Sequence, residues 1–251
     1  MFGPRHEYRL GIILDEVGRL PAGALVLDGA VGLGQLARRM QQRGYRVSGI
    51  DYAFEAALFA TRNGTPSVVG DMTRMPFRDG AFDAVTTGET LEHLDDDAGA
   101  AREIGRVLHA GGTCIATVPA LQSLWSASDD YYEHRRRYAR TQLAALFGGF
   151  EIVKAKFWGF PIVLAYDTVF LLPMNKRRAR RAVSQDAALQ SVARAGRAQW
   201  LVGIVRAVFN LDRLFGWIPF GPGLLLVARK AEGPSPRSAG RGWRAAPGEG
   251  R

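Results

Sequence analysis

Short apolar runs alternate with amphipathic segments along most of the chain. The apolar runs predict strands over Ala24 to Leu27, Arg46 to Asp51, Ser67 to Asp71, Phe82 to Thr86, Thr113 to Val118, Phe150 to Phe157 and Gly223 to Arg229. Apolar residues at helical spacing predict helices over Tyr8 to Leu20, Gln35 to Arg43, Phe54 to Thr61, Asp96 to Leu108 and Arg140 to Phe147. This alternation predicts an open, mostly parallel α/β sheet that binds its ligand at the carboxyl ends of the strands.

The first predicted strand ends on an acid and continues into closely spaced glycines, in the sequence ALVLDGAVGLG. Glycine lets the backbone approach a ligand closely, and the helix that follows presents its free N–H groups to the same place. Two further predicted strands also end on acids, Asp51 and Asp71. The three acids predict one ligand site along a single edge of the sheet.

These residues resemble the class I S-adenosylmethionine-dependent methyltransferases, over about residues 8–158. VLDGAVGLG is similar to that family's first motif, and MPFRDGAFDAV resembles its approach to strand four. The resemblance implies a Rossmann-like, seven-stranded sheet. It further implies that S-adenosylmethionine is held by Asp28, Ala30, Gly32, Gly34, Asp51, Tyr52, Asp71 and Met72. In this arrangement Asp51 would accept both ribose hydroxyls, since a carboxylate can accept two O–H donors.

One position departs from the family pattern, because Ala30 stands where the first motif glycine is expected. If the position requires a positive φ, alanine costs on the order of 1 kcal/mol there. Weakened cofactor binding is therefore expected, and a non-catalytic relative that keeps the fold remains an alternative.

A nicotinamide dinucleotide is the competing ligand. Residues 32–37 fit the G-x-G-x-x-G/A fingerprint, and Asp51 follows Gly34 by 17 residues, near the spacing of a ribose-binding acid. Asp28 and Asp71 argue against this interpretation, because dinucleotide folds need neither acid. The methyltransferase interpretation is favoured.

The segment after the fourth strand, TGETLEHLDDD, carries candidate catalytic and metal-binding groups. The E-x-x-E-H pattern with a later histidine resembles the metal site of small-RNA 2′-O-methyltransferases, and E-x-x-E-H alone also resembles ubiquinone-pathway O-methyltransferases. This resemblance implies a divalent cation such as Mg²⁺ on Glu89, Glu92, His93 and His134. Two alternatives stay open: His93 or His134 acts as a general base without metal, or the pair Glu92-His93 only caps a helix.

About 65 residues separate the last two predicted strands, which form a hairpin in the family. This helical insertion, about residues 158–220, contains two apolar runs, Phe157 to Pro173 and Trp200 to Ile218, around the basic cluster Lys176 to Arg181. Each run contains charge and is too short for a convincing membrane span. The helices are expected either to cover the acceptor pocket as a lid or to contact an anionic membrane surface.

Charge, cysteine content and the terminal sequences bear on the cellular compartment and on the domain organisation. The net charge of +9 suits an anionic partner, and the single cysteine, Cys114, excludes an internal disulfide. The first residues lack the apolar core of a signal peptide. We expect a cytoplasmic protein, with peripheral contact at the inner face of the membrane as an option, built as one methyltransferase domain over residues 1–230 and a disordered tail over residues 231–251.

The expected reaction is methyl transfer from S-adenosylmethionine to a small-molecule or lipid- or glycan-linked acceptor, at oxygen rather than nitrogen or carbon. Positioning would supply most of the catalysis, because the sulfonium is already a strong electrophile. A nucleic-acid methyltransferase is a further alternative, favoured only by the net charge. The identity of the acceptor and the oligomeric state do not follow from the sequence.

Overall fold

The computed structural model of the protein describes residues 3–180 and 199–232. Seven strands form one sheet in the order β3-β2-β1-β4-β5-β7-β6. Their bounds are β1 Leu25–Gly29, β2 Arg46–Asp51, β3 Ser67–Val69, β4 Phe82–Gly88, β5 Leu108–Pro119, β6 Phe150–Trp158 and β7 Gly223–Lys230. Neighbours from β3 to β5 pair in parallel, whereas β7 is antiparallel to both β5 and β6. The predicted fold class is confirmed.

Helices cover both faces of this sheet. Their bounds are α1 Pro4–Val17, α2 Gln35–Gln41, α3 Phe54–Arg62, α4 Asp97–Val107, α5 Ala127–Tyr131, α6 Arg140–Leu146, α7 Ile162–Tyr166, α8 Leu172–Arg180 and α9 Gln199–Phe209. One apolar core, which includes Ile104 and Leu143, lies under α4 and α6. The other, which includes Ile13 and Met40, lies under α1 and α2. The central strands β1, β4, β5 and β7 are therefore buried on both sides, as their apolar runs predict, whereas the edge strands β3 and β6 are partly exposed.

The first helix begins four residues earlier than the sequence pattern predicts. Pro4 occupies its first turn, where the missing N–H costs no hydrogen bond and the fixed φ suits a helix. The early start matters for function, because it adds Arg5 and His6 to the helix, where they line the same cavity at the carboxyl edge of the sheet as Arg9.

The segment between β6 and β7 contains α7, a π-helical turn over Asp167–Leu171, α8, α9 and a 3-10 helix over Asn210–Phe215. Asp212 joins the two ends of this segment, since its carboxylate accepts hydrogen bonds from the backbone N–H of Ile162 (2.8 Å) and Val163 (2.9 Å). These N–H groups belong to the first turn of α7 and have no partner within the helix. Asp212 is almost fully buried, so it acts as an internal cap.

No helix within residues 3–180 and 199–232 has the length and apolar character that crossing a bilayer requires. Residues 181–198, in the middle of the predicted insertion, lie outside the described part of the chain, and so does the predicted tail except for Ala231 and Glu232. The predicted domain boundaries and the lid therefore stay predictions.

One local arrangement differs from what the spacing of the two acids would give. A helix after β4 would place Glu89 and Glu92, three residues apart, on one face. Glu89 instead has a left-handed backbone, with a φ of 56°, and only Leu91–His93 forms a single 3-10 turn. The left-handed residue turns the chain sharply at the end of β4, so this shared helical face does not form.

Candidate functional site

The turn between β1 and α2 forms a backbone cradle at the carboxyl edge of the sheet. Ala30, Gly32 and Gly34 all have positive φ values, of 58°, 52° and 68°. A Cβ built on Gly32 would meet no atom within 4 Å, so open space lies beside the turn. The left-handed conformation at Ala30 confirms that this position carries the backbone strain expected of a non-glycine residue.

The three strand-end acids surround this cradle. Asp51 accepts hydrogen bonds from the backbone N–H of Gly32 (2.8 Å) and Ala53 (2.9 Å), which fixes its carboxylate against the turn. Tyr52 beside it is exposed and offers an aromatic face at the site's rim. Asp71 accepts from the N–H and the hydroxyl of Thr73. The cradle, the ordered carboxylates and the exposed aromatic ring fit a nucleoside ligand such as S-adenosylmethionine.

Met72 and Gly29 pack directly against each other beneath the site. A Cβ on Gly29 would lie 2.7 Å from the Cε atom of Met72, so glycine is required there. Met72 is largely buried by this contact. The predicted adenine-reading residue therefore also supports the end of β1.

Asp28 is buried at the end of β1 and accepts a hydrogen bond from the Thr86 hydroxyl at 3.0 Å. Burial disfavours the carboxylate and raises the pKa of Asp28 to about 7, although the hydrogen bond from Thr86 opposes this shift. The acid thus stands near its ionisation point at neutral pH, where a cationic group of a ligand would draw it into the charged form.

Next to the cradle lies a cavity of about 480 Å³. His6 joins the two features, because it lines the cavity while its Nε2 contacts the Gln35 side chain at the start of α2 (2.9 Å). Pro119, at the end of β5, and Pro222, before β7, place the cavity at the carboxyl edge of the sheet. The size is within the range of small-molecule sites.

Four charged side chains form a buried cluster on one wall of this cavity. Arg5 pairs with Glu89 (3.3 Å) and with Asp167 (3.0 Å), and Arg9 also pairs with Glu89 (3.4 Å). Burial opposes ionisation of Glu89, but the guanidinium groups of Arg5 and Arg9 outweigh it and lower the pKa of Glu89. Glu89 is thus held as a carboxylate by the arginines, and its predicted role as a metal ligand competes with these ion pairs.

The other three predicted metal ligands do come together. Glu92, His93 and His134 each offer one ligand atom within 4.8 Å of the others, and the two imidazole centroids lie 4.9 Å apart. Neither carboxyl oxygen of the fully buried Glu92 has a hydrogen-bond partner. Burial, with the nearby charge of Glu89, raises the pKa of Glu92 well above its usual range. Two imidazoles and one carboxylate suit Mn²⁺, Fe²⁺ or Zn²⁺ better than the Mg²⁺ expected from sequence.

Asp129 fixes the orientation of His134. Its carboxylate contacts His134 Nδ1 at 2.9 Å and accepts two hydrogen bonds from the Arg137 guanidinium, at 2.8 and 3.0 Å. Ser126 donates to the same carboxylate through its N–H and hydroxyl. Although burial opposes its charge, these donors hold the pKa of Asp129 far below its usual range. Asp129 therefore keeps the proton of His134 on Nδ1 and leaves Nε2 able to accept a proton or bind a metal.

The three arginines after His134 have the planar guanidinium groups that suit a clamp for an anionic substrate. Arg135, Arg136 and Arg137 instead pair with Asp95, Asp97 and Asp129. Only Arg137 among these three lines the cavity. Internal pairing therefore uses most of the charge that the clamp would need.

Several cavity residues were not predicted as site residues, including Arg5, Arg9, Asp129, Asp167 and Asn175. Pro4 was the available signal for Arg5, since it marks the true start of α1, whereas Arg9 already lay within the predicted helix. Asp167 and Asn175 carry no comparable signal, because their place in the site depends on how the segment after β6 folds back over the sheet.

Comparison with known proteins gives the family. A family model described as a methyltransferase domain matches residues 27–116, which include the cradle, the three acids and the pair Glu92-His93. This part of the chain is a methyltransferase domain. The domain supplies the β1 to β5 core and the cofactor cradle, whereas His134 and the segment between β6 and β7 lie outside the matched range.

The relatives of this methyltransferase domain share part of the chain. A demethylmenaquinone methyltransferase of Thermobifida fusca is 37% identical over 101 residues, covering 38% of this chain and 43% of that protein. The ubiquinone/menaquinone biosynthesis C-methyltransferase UbiE of Desulfotalea psychrophila is 33% identical over 124 residues, covering 45% and 50%. The alignments thus span about half the length of these curated relatives or less.

The fold extends further than the sequence similarity. Haemonchus contortus phosphoethanolamine N-methyltransferase 2, solved with S-adenosyl-L-methionine, superposes with a TM-score of 0.60 over 89% of this chain and 52% of that chain, at 17% identity. At this identity the likeness supports the fold alone.

The raised pKa of Asp28 predicts a pH-dependent cost to stability. Between pH 4 and pH 7 the carboxyl group ionises in the unfolded chain but stays protonated in the folded one, so rising pH favours unfolding by roughly 1.4 kcal/mol per unit. Asp28→Asn removes this cost. In urea unfolding, the free energy of unfolding of Asp28→Asn relative to wild type should increase by about 2 to 3 kcal/mol from pH 5 to pH 7.

The exposed Asp79 provides the matched control, since Asp79→Asn should show no such change with pH. If the free energies of unfolding of Asp28→Asn and wild type differ by the same amount at pH 5 and pH 7, the raised pKa of Asp28 is contradicted.

Proposed function

We propose that the protein transfers the methyl group of S-adenosylmethionine to a hydroxyl oxygen of a small or lipid-linked acceptor bound in the 480 Å³ cavity. The observation that carries the proposal is the Asp129–His134 hydrogen bond in the cavity wall. When bound, S-adenosylmethionine supplies an electrophilic methyl group on a positively charged sulfur. The cradle, with Asp51 and Asp71, would hold it beside the cavity.

A positioned base favours an oxygen acceptor. A neutral amine attacks through its lone pair before it loses a proton, whereas a hydroxyl becomes a good nucleophile only as its proton leaves. His134 would receive that proton on Nε2, and the Asp129 carboxylate would stabilise the resulting imidazolium. Arg137 keeps Asp129 in place and charged. His134 is thus assigned as the base and Asp129 as its positioning residue.

The cavity walls suit an acceptor with one polar and one apolar end. The polar end faces His93, His134 and the charged cluster. The remaining walls are mainly apolar, formed by Leu124, Trp125, Leu164, Tyr166, Leu171 and Leu172. Because the arginines and acids in the polar end pair with one another, a neutral hydroxylated head fits better than a strongly charged one.

Transfer to oxygen can be tested with catechol and 1,4-dihydroxynaphthalene as hydroxyl probes and benzylamine as a nitrogen probe. S-adenosylhomocysteine formation is followed by mass spectrometry, and the methyl position is read by NMR. We expect an ether product from a hydroxyl probe. His134→Gln should lower kcat by about 100-fold, and Asp129→Asn should lower kcat with KM unchanged.

His109 provides the matched control for this measurement. It forms a surface histidine–aspartate pair with Asp83 at 3.0 Å, so His109→Gln should leave turnover unchanged. Methyl transfer to ring carbon, as the name of the Desulfotalea relative would suggest, or to nitrogen, would contradict the proposed acceptor atom. A loss in His134→Gln no larger than in His109→Gln would contradict the proposed base.

A divalent cation is the alternative occupant of the His134 Nε2 position. Its support is the convergence of Glu92, His93 and His134 and the two unpartnered oxygens of buried Glu92. A cation there would hold the acceptor oxygen and lower the pKa of its hydroxyl, which replaces the need for a base.

Electron paramagnetic resonance of Mn²⁺ separates the two arrangements without relying on turnover. If the cation binds here, the signal of free Mn²⁺ should decrease on adding wild-type protein and be restored with Glu92→Gln. The exposed Glu151 gives the control variant, Glu151→Gln, which should bind as wild type. An undiminished free-ion signal with wild type would exclude the metal arrangement and leave His134 as the base.

A further inference from the structure

The helical segment after β6 presents two different faces. Leu164, Thr168 and Leu171 follow helical spacing on the side that lines the cavity. On the other side Val169 and Phe170 are exposed, with Phe170 at 63% of its full accessibility. The same stretch of helix therefore closes the cavity with one face and leaves aromatic and β-branched side chains in solvent with the other.

The second part of this segment repeats the arrangement. Phe209, on the inner face of α9, is buried and contacts the Tyr8 ring on α1 at 5.9 Å. Ile204 and Val208 form an exposed stripe four residues apart on another face of α9. The chain then continues to Trp217, which is 80% exposed. Burial against α1 thus accounts for only one of the two apolar faces.

The two exposed sets lie on helices that pack together. The ring of Tyr166 lies 5.2 Å from that of Phe209 on α9 and 5.6 Å from that of Phe170, so it connects both parts of the segment. We name the exposed apolar side chains of this unit the apolar surface and define it as Val169, Phe170, Ile204, Val208, Leu214 and Trp217. Exposed apolar side chains concentrated on one structural unit mark contact sites for other molecules.

The segment that carries the apolar surface has exposed basic side chains, and among the described residues its one exposed ion pair to another element joins Arg213 to Asp15 on α1. Within residues 159–176 and 199–217 the carboxylates are Asp167, which pairs with Arg5, and Asp212, which is buried in its cap. Lys176 and Arg206 are exposed. The Lys156 ammonium lies against Gly216, directly before Trp217.

A partner must therefore be both apolar and anionic. A second copy of the same face would oppose like charges, and a nucleic acid would leave the apolar side chains without contacts. A bilayer of anionic phospholipids provides acidic headgroups above an apolar layer, and aromatic residues with a neighbouring basic cluster suit such an interface.

We propose that the apolar surface binds the interface of an anionic phospholipid bilayer. The exposed side chains enter the boundary between headgroups and acyl chains, while the lysines and arginines contact the headgroups. Binding does not require the proposed methyl transfer. Combined with it, however, docking would place the wall formed by Leu164, Thr168 and Leu171 at the bilayer surface, where a lipid-linked acceptor can enter the cavity.

Flotation with vesicles tests this proposal directly. Wild type should float with vesicles of phosphatidylcholine and phosphatidylglycerol (3:1) and remain below with phosphatidylcholine alone. The double variant Phe170→Glu with Trp217→Glu should lose at least tenfold in partitioning. Lys176→Gln with Arg206→Gln should lose about 25-fold, at about 5-fold for each charge removed. The half-exposed Val153 on β6 supplies the control, and Val153→Glu should partition as wild type.

Other outcomes overturn the proposal. These are equal flotation of wild type with both vesicle compositions, failure to float with either, or an equal loss in Val153→Glu. Light scattering without vesicles gives a further check: a wild-type dimer that Phe170→Glu converts to monomer would assign the surface to contacts between copies. Circular dichroism of each variant verifies the fold, so a loss of flotation is not mistaken for unfolding.

Discussion

The buried guanidinium of Arg5 connects three parts of the chain that are distant in sequence. It pairs with Glu89 after β4 and with Asp167 in the segment after β6, and it lies 5.2 Å from the centre of the Trp158 ring. Although burial opposes its charge, the two carboxylates raise the pKa of Arg5, so it stays protonated. This interaction fixes α1 and the inserted helix around the cavity.

The same constraint determines what the cavity can recognise. Because the charges of Arg5 and Arg9 are offset by Glu89 and Asp167, little net charge is left for a ligand, although Arg9 Nε, Glu89 Oε1 and Asp167 Oδ1 have no hydrogen-bond partner in the described part of the chain. His134 differs from this paired cluster. Asp129 forms a hydrogen bond with its Nδ1, so its Nε2 remains able to accept a proton or bind a metal. The segment that supplies Asp167 also supplies the exposed Phe170, so cavity wall and proposed membrane contact belong to one structural unit. The proposed chemistry and the proposed membrane contact would thereby be linked through a single helix.

The core of the fold follows from local sequence features. The apolar run Ala24 to Leu27 leads directly into Asp28, and the shared polarity of the parallel strands places Asp28, Asp51 and Asp71 at one edge of the sheet. The convergence of Glu92, His93 and His134 was also anticipated, through resemblance rather than geometry. The orientation of Glu89 was not anticipated. Its carboxylate is directed by the left-handed backbone of Glu89 itself and by ion pairs with two arginines on α1. Such long-range contacts leave no periodic signal in the chain.

The central claim is that the cradle after β1, with Asp51 at its edge, binds S-adenosylmethionine. Isothermal titration calorimetry tests it most directly, with wild type, Asp51→Ala and, as control, Asp15→Ala, which removes only a surface ion pair with Arg213. The account predicts saturable binding to wild type and Asp15→Ala, and none to Asp51→Ala at the same concentrations. Absence of binding to wild type, or equal binding to Asp51→Ala, would contradict it.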